Sequence, residues 1–136
     1  MSRGLRNNNP GNIRINSDKF QGEVRPSKDP SFKQFSSMAY GYRAIFVILG
    51  TYLKQGANTI EKIIKRWAPP EDNNDTETYI QVVERLSGVS RSKQLNNRSG
   101  LDYIKIVAAM SRVENGVDAD LLEVEDRFKL QTRLEM

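Results

Sequence analysis

Two stretches decide the fold of this chain: Arg3-Gly-Leu-Arg-Asn-Asn-Asn-Pro-Gly-Asn-Ile-Arg14, and Leu101-Asp-Tyr-Ile-Lys-Ile-Val-Ala-Ala-Met-Ser-Arg-Val-Glu-Asn-Gly116. The first is dense in turn residues, because Asn tolerates left-handed backbone angles, Pro fixes φ and Gly follows it. It predicts a structured loop that runs into a strand. The second has apolar residues at helical spacing and ends in glycine, which predicts a helix whose last turn carries one carboxylate, Glu114.

The segment that follows the first stretch predicts a small β-lobe. Three short runs containing aromatic or β-branched residues are separated by turn-rich sequence, and they span residues 13–15, 20–24 and 32–35. Such runs favour an antiparallel sheet of two or three strands.

Helical periodicity replaces the strand pattern after residue 37. Apolar residues recur at i, i+3, i+4 and i+7 from Met38 to about Gln55, and the same pattern predicts four more helices further along the chain. Residues 89–100 lack any period and predict a loop. Two caps are also predicted: Asn58 with Glu61 resembles a capping box, and Asp118 is expected to cap the last helix.

The predicted fold class is therefore α+β and mostly α. One domain is expected over residues 1–136, with an antiparallel β-lobe over 1–36 and about five helices over 37–136. A domain of this kind commonly has a groove where the lobe meets the helices.

Composition excludes several kinds of chemistry. The 136 residues include no His and no Cys, so a Ser-His-Asp triad, a Cys-His pair and the usual zinc sites are impossible. An enzyme of this composition works with carboxylates, amides, hydroxyls and Lys or Arg. No cofactor is expected. No metal is expected either, because helix capping explains the acidic turn Glu71-Asp-Asn-Asn-Asp75, the one place where a cation site is conceivable.

The charge is uneven along the chain. Residues 1–70 carry 12 Lys/Arg against 4 Asp/Glu, whereas residues 71–136 carry 9 against 13. The basic half is either a solvated surface or a means of steering the protein toward a polyanion. Nucleic acid is a weak candidate, because no helix carries a Lys/Arg stripe and the aromatic residues sit at core spacing.

No stretch approaches the ~18 apolar residues of a membrane span, and Met1–Arg6 lacks the apolar run of a signal peptide.

The same residues resemble a known family. The likeness is to phage and prophage lysozyme-like proteins and covers roughly residues 3–88. It is carried, in order, by Arg3–Arg14, Phe32-x-x-Phe35, Tyr40-Gly-Tyr-Arg-Ala44, Asn58-Thr-Ile-x-x-Ile-Ile-x-x-Trp-Ala-Pro-Pro70 and Thr76-x-x-Tyr79. The loop at residues 8–13 is also similar to the loop that opens the β-lobe of bacterial glucosaminidases, in which the catalytic Glu closes a helix before that loop.

Only six residues precede Asn7, so that helix cannot stand in front of the loop. The second stretch, however, resembles the apolar helix ending in Glu-x-Gly that lytic transglycosylases and glucosaminidases use. We infer a circular permutation of a lysozyme-like domain. It predicts that Glu114 lies beside the loop formed by residues 7–12.

The resemblance implies that Glu114 is a catalytic acid, and its position fits that role. The negative end of the helix macrodipole and the apolar residues before it both disfavour ionisation and raise the pKa. The structural alternative is a solvated residue at a helix end. A two-carboxylate hydrolase needs a second acid, for which Glu23 is the best candidate and Asp18 and Asp29 are weaker ones. A lytic transglycosylase needs one Glu, and we favour that chemistry.

Further residues are candidates for substrate binding. Asn8, Asn9, Asn12 and Gln21 offer amides to sugar hydroxyls and acetamido groups, and Tyr40 offers a ring to a sugar face. The alternative for the amides is loop bracing. Tyr42, Tyr79 and Trp67 are expected in the core because of their helical spacing.

The resemblance implies a phage-type enzyme that cleaves peptidoglycan glycan strands. Other virion proteins are further candidate partners, and the protein is expected in the virion or in the host cytoplasm before release. The alternative is an inactive virion structural or wall-binding protein with the same fold.

Overall fold

The computed structural model describes the backbone of residues 1–135 and the side chains of residues 1–129. It has the mostly helical α+β architecture that the sequence predicts. The elements, in chain order, are α1 (Arg3–Arg6), β1 (Glu23–Val24), β2 (Gln34–Phe35), α2 (Met38–Lys54), α3 (Ile60–Trp67), a 3₁₀ turn (Pro70–Asp72), α4 (Thr76–Ser87), α5 (Gly100–Asn115) and α6 (Leu121–Glu135).

The β-lobe is small. Strands β1 and β2 are antiparallel, with Glu23 opposite Phe35. The first predicted strand, residues 13–15, pairs with the lobe through one isolated bridge between Arg14 and Phe32. Backbone bonds on either side of the bridge, such as the one from the Lys33 N–H to the Ile13 carbonyl (2.9 Å), tie the first loop to the lobe.

Two predicted helix caps are wrong. The hydroxyl of Thr59, not the side chain of Asn58, accepts from the Lys62 N–H and caps α3 (3.1 Å). The carboxylate of Asp120 accepts from the first N–H groups of α6. Asp118 instead pairs with Arg112 at 3.3 Å. Each helix begins one or two residues later than predicted, so the side chain nearest its free N–H groups is a different one.

Helix α5 organises the core. Six apolar residues on it are buried, and it packs against α1, α2, α4 and α6. The short helix α1, which is capped by Ser2, was not predicted. Because α1 packs on α5, the start of the chain lies beside the helix that carries Glu114. Within residues 1–135, no helix combines the length and apolarity needed to cross a bilayer.

Candidate active site

The first loop and the end of α5 meet. The side-chain amide of Asn12 donates to Oε1 of Glu114 at 2.9 Å, which confirms the predicted juxtaposition of Glu114 with this loop. Asn8 and Asn12 have left-handed φ angles of 52° and 49°. Asn adopts this conformation more readily than most residues, because its short polar side chain bonds locally. The local sequence therefore allows the turn that points Asn12 at Glu114.

Glu114 is a half-buried carboxylate that accepts two hydrogen bonds. The Tyr79 hydroxyl donates to Oε2 at 2.9 Å and the Asn12 amide donates to Oε1, while the Trp67 indole lies near enough to favour the ionised form as well. Burial raises the pKa of Glu114 above its ordinary value, and the donors of Asn12, Tyr79 and Trp67, which favour the ionised form, offset this only in part. Glu114 is thus a carboxyl group with an increased tendency to hold a proton.

Tyr79 is a buried donor. Burial, followed by the nearby charge of Glu114, raises the pKa of Tyr79 well above its ordinary value, so its hydroxyl stays protonated. The helical spacing correctly predicts that Tyr79 is buried. The hydrogen-bond partner of its hydroxyl could not be predicted from the sequence, because Glu114 is 35 residues away in the chain.

Asn115, the residue after Glu114, links the elements that surround the site. Its side-chain amide donates to the Pro10 carbonyl at 2.9 Å and to the Ser111 carbonyl at 3.0 Å. Its Oδ1 accepts from the Ser2 hydroxyl at 2.8 Å. One buried side chain therefore joins α5, the first loop and the start of the chain. Asn115 was not among the predicted site residues.

Asn8 and Asn9 brace the loop. Asn9 is 0% exposed, and its amide donates to the carbonyls of Ile13 (3.0 Å) and Lys33 (2.9 Å) while its Oδ1 accepts from the Ile13 N–H. Asn8 donates to the Phe35 carbonyl at 3.1 Å. The predicted substrate contact does not fit the position of Asn9, since burial and backbone bonds occupy its amide. Among the predicted amides, Asn12 is the one that reaches Glu114.

Glu23 belongs to a buried ion pair. Its carboxylate lies 3.1 Å from Nζ of Lys33, with the two side chains 4% and 0% exposed, and 3.0 Å from the guanidinium of Arg25. Burial opposes ionisation, but the Phe20 N–H, Lys33 and Arg25 together lower the pKa of Glu23. These contacts give Glu23 a structural role and do not bring it into the hydrogen-bond network of Glu114.

Gln21 and Tyr40 lie near the start of β1. Gln21 is exposed on the turn before the strand. The half-buried ring of Tyr40 covers Gly22 so closely that a Cβ there would collide with it. Neither residue lines the groove described next, so their predicted role in substrate binding stays a prediction.

A groove of about 700 Å³ runs between the lobe and the helices. Asn12 and Trp67, both partners of Glu114, line it. The backbone of Gly11 lies against the Trp67 ring, where any side chain would clash. The lobe contributes Asn12, Ile13, Arg14, Asn16, Asp18 and Phe20; the helices and the 3₁₀ turn contribute Val47, Ile48, Thr51, Tyr52, Gln55, Arg66, Trp67, Pro69 and Asp72.

Trp67 was expected in the core. It is half-buried against the core, and it lines the groove near the Glu114 carboxylate. The signal that could have revealed this is its place as the last residue of α3 before two prolines. A tryptophan there has fewer neighbours to cover it. Among the described side chains, no three Asp or Glu residues cluster closely enough to hold a metal ion.

Comparison with known proteins connects the chain to phages. It is 44% identical over 119 residues to Protein P5 of Pseudoalteromonas phage PM2, a match that covers 85% of this chain and 72% of that protein. No family model matches the sequence.

Proposed function

The chain belongs to the family of Protein P5 of Pseudoalteromonas phage PM2. From the environment of Glu114 we propose that this phage protein cleaves peptidoglycan glycan strands. Glu114 acts first as general acid and then as general base. The whole of residues 1–136 forms one lysozyme-like domain, circularly permuted so that the acid follows the loop in the chain.

The observation that carries the proposal is the environment of Glu114. A carboxyl group with a raised pKa accepts hydrogen bonds from Asn12 and Tyr79, and Asn12 and the nearby Trp67 line a groove of about 700 Å³. An acid of this kind holds its proton nearer to neutrality and can donate it as a glycosidic bond breaks. The aromatic rings of Phe20, Tyr52 and Trp67 add apolar surface for sugar faces along the same groove.

The chemistry balances with a single carboxyl group. Glu114 gives its proton to the glycosidic oxygen, the bond from C1 to that oxygen breaks, and the leaving sugar keeps the proton. The 6-hydroxyl of the sugar that carries C1, not of the leaving sugar, then bonds to that C1 and gives its proton to the Glu114 carboxylate. The product is an anhydro sugar, and no water is consumed. Asn12 and Tyr79 hold the two carboxylate oxygens in place through both steps.

A two-carboxylate hydrolase is the competing mechanism within the same function. Glu23 was the candidate for its second acid, and its ion pair with Lys33 argues for a structural role instead. Asp18 lines the groove and takes over that candidacy. Mass analysis of the released fragments separates the two mechanisms, because hydrolysis adds one water and transglycosylation does not.

The proposed partners are glycan strands and other proteins of the virion. The protein acts either from the virion or from the host cytoplasm before lysis. Nucleic acid is not a proposed partner, because the groove carries both Asp and Arg side chains rather than a basic surface.

The test is clearing of purified peptidoglycan by the wild type and by Glu114→Gln, with Glu71→Gln as the matched control on an exposed carboxylate outside the groove. The wild type and E71Q should clear the substrate and E114Q should not. Equal clearing by all three would overturn the assignment of Glu114. No clearing by the wild type would favour the alternative, a structural or wall-binding virion protein.

A further inference from the structure

A second charged group lies in the groove next to Trp67. The guanidinium carbon of Arg66 lies 4.1 Å from the centre of the Tyr52 ring, and both residues line the groove. Arg66 and Trp67 are the last two residues of α3. One helix end therefore places the indole at Glu114 and the guanidinium over Tyr52.

Arg66 makes no ion pair with any of the side chains from residues 1–129. Its neighbour Lys65 does, with Glu61 at 3.0 Å. A guanidinium that stacks on a ring uses its face and leaves the N–H groups at its edge available. These donors form a fork that matches the two oxygens of a carboxylate.

We propose that Arg66, held on the Tyr52 ring, binds a carboxylate group of the substrate and so selects anionic glycan strands over neutral ones. The inference rests on the proposed function, because it concerns the substrate of the same groove. Two kinds of carboxylate in peptidoglycan fit this chemistry. One is the lactyl carboxylate of the sugar once its peptide is removed, and the other is a carboxylate of the stem peptide.

The other charges of the groove give the anion a preferred position. Asp18 and Asp72 also line it, and each would repel a substrate carboxylate placed beside it. Arg14 is a second guanidinium in the groove, 5.3 Å from the Phe32 ring on the lobe side. Arg66 is the better candidate because it stacks more closely and lies next to Trp67, a partner of Glu114.

The test measures binding without turnover. Trp67 is the single tryptophan of the chain, so its fluorescence reports directly on the groove. Arg66→Met is titrated in the Glu114→Gln background, and Lys65→Met removes the same charge from the same helix outside the groove. The probes are soluble strands with stem peptides, strands stripped of peptides by an amidase, and neutral N-acetylglucosamine oligomers.

We expect R66M to bind peptide-bearing strands about tenfold more weakly, as the loss of a charge-assisted pair implies. K65M should bind like the parent, and neutral oligomers should not distinguish the variants. Loss on the stripped strands alone assigns the free lactyl carboxylate, loss on the peptide-bearing strands alone assigns the stem peptide, and loss on both shows that Arg66 accepts either carboxylate. Arg66→Lys should recover part of the affinity, because it keeps the charge without the fork.

Equal weakening on the neutral oligomers would overturn the inference, as would no weakening on any probe. A loss in Arg14→Met but not in R66M would overturn it too, and so would a failure of every probe to bind. One result would contradict only the proposed function. If the wild type clears no peptidoglycan but R66M binds the anionic probes more weakly than its parent, Arg66 is a carboxylate-binding residue in a protein that is not an enzyme.

Discussion

Asn12 donates a 2.9 Å hydrogen bond to Glu114 although 102 residues separate them in the chain. The left-handed backbone of Asn12 (φ 49°) points its amide at the end of α5, and Asn115 fixes the neighbouring loop backbone through the Pro10 carbonyl. A turn conformation and a side-chain contact thus depend on the same residue. Substitutions at position 12 can separate these two contributions.

Asn12→Gly and Asn12→Ala both remove the amide, but they differ in backbone preference. Glycine adopts φ 49° without steric cost, whereas Cβ makes this region unfavourable for alanine. We expect N12A to be about 1 kcal/mol less stable than N12G in urea unfolding. Equal stabilities would show that the left-handed turn is not retained in these variants.

Tyr79→Phe should move the pH profile of cleavage. The Tyr79 hydroxyl favours the ionised form of Glu114, so its removal raises the pKa of Glu114 further. Activity that needs protonated Glu114 is lost as the pH rises through that pKa. The basic limb of the profile should therefore shift to higher pH in Y79F.

The control is Tyr103→Phe, which removes a buried hydroxyl on α5 that has no hydrogen-bond partner among the described residues. Y103F should keep the wild-type profile. A Y79F profile that coincides with the wild type at every pH would mean that Glu114 does not set the basic limb.

The sequence predicts the elements better than the contacts of the site. The 3.6-residue period gives α2 to α6 to within a few residues, because burial of one helix face is recorded directly in the order of apolar residues. Helix α1 has only four residues, which is too short for a helical pattern of apolar residues to be recognised. It forms because Ser2 caps it and because it packs on α5. The caps at Thr59 and Asp120 show the usual uncertainty of helix ends.

The site was predicted in part. The resemblance of the two end stretches leads to the Glu114 pairing, since no period or spacing connects residues so far apart. Periodicity predicts that Tyr79 is buried and that Trp67 belongs to an apolar face, but it does not show that the Tyr79 hydroxyl bonds to Glu114 or that Trp67 lines the groove. The burial of Lys33, which is 0% exposed, was not predicted. A lysine is normally expected on the surface, and nothing in the local sequence shows that Glu23 neutralises its charge.

The Glu23–Lys33 pair makes a stability prediction that also tests the role of Glu23. Removing one partner leaves an uncompensated charge in the lobe, so Lys33→Met and Glu23→Gln should each lower the free energy of unfolding by about 3 kcal/mol. Arg25→Met removes a more exposed partner of the same carboxylate and should cost at most about 1 kcal/mol. Urea unfolding at neutral pH measures all three.

If Glu23 is structural, folded E23Q should still clear peptidoglycan at a temperature well below its unfolding transition. Complete loss of clearing by a folded E23Q, with K33M still active, would instead return Glu23 to the catalytic machinery and favour the two-carboxylate mechanism.

The raised pKa of Glu114 also predicts how stability changes with pH. A carboxyl group whose pKa is higher in the folded state than its ordinary value of 4.5 binds its proton more tightly when folded. Its contribution to stability is fully present below the unfolded pKa and is lost as the pH rises through the folded pKa. Gln cannot ionise, so Glu114→Gln does not suffer this loss. As the pH rises from 4 to 8, the free energy of unfolding of E114Q should therefore increase relative to that of the wild type, in urea titrations at matched ionic strength.

E71Q serves as the control for the general effect of removing a carboxylate. If the difference in free energy of unfolding between E114Q and the wild type stays constant or changes in the other direction, burial does not raise the pKa of Glu114, and the acid role loses its physical basis.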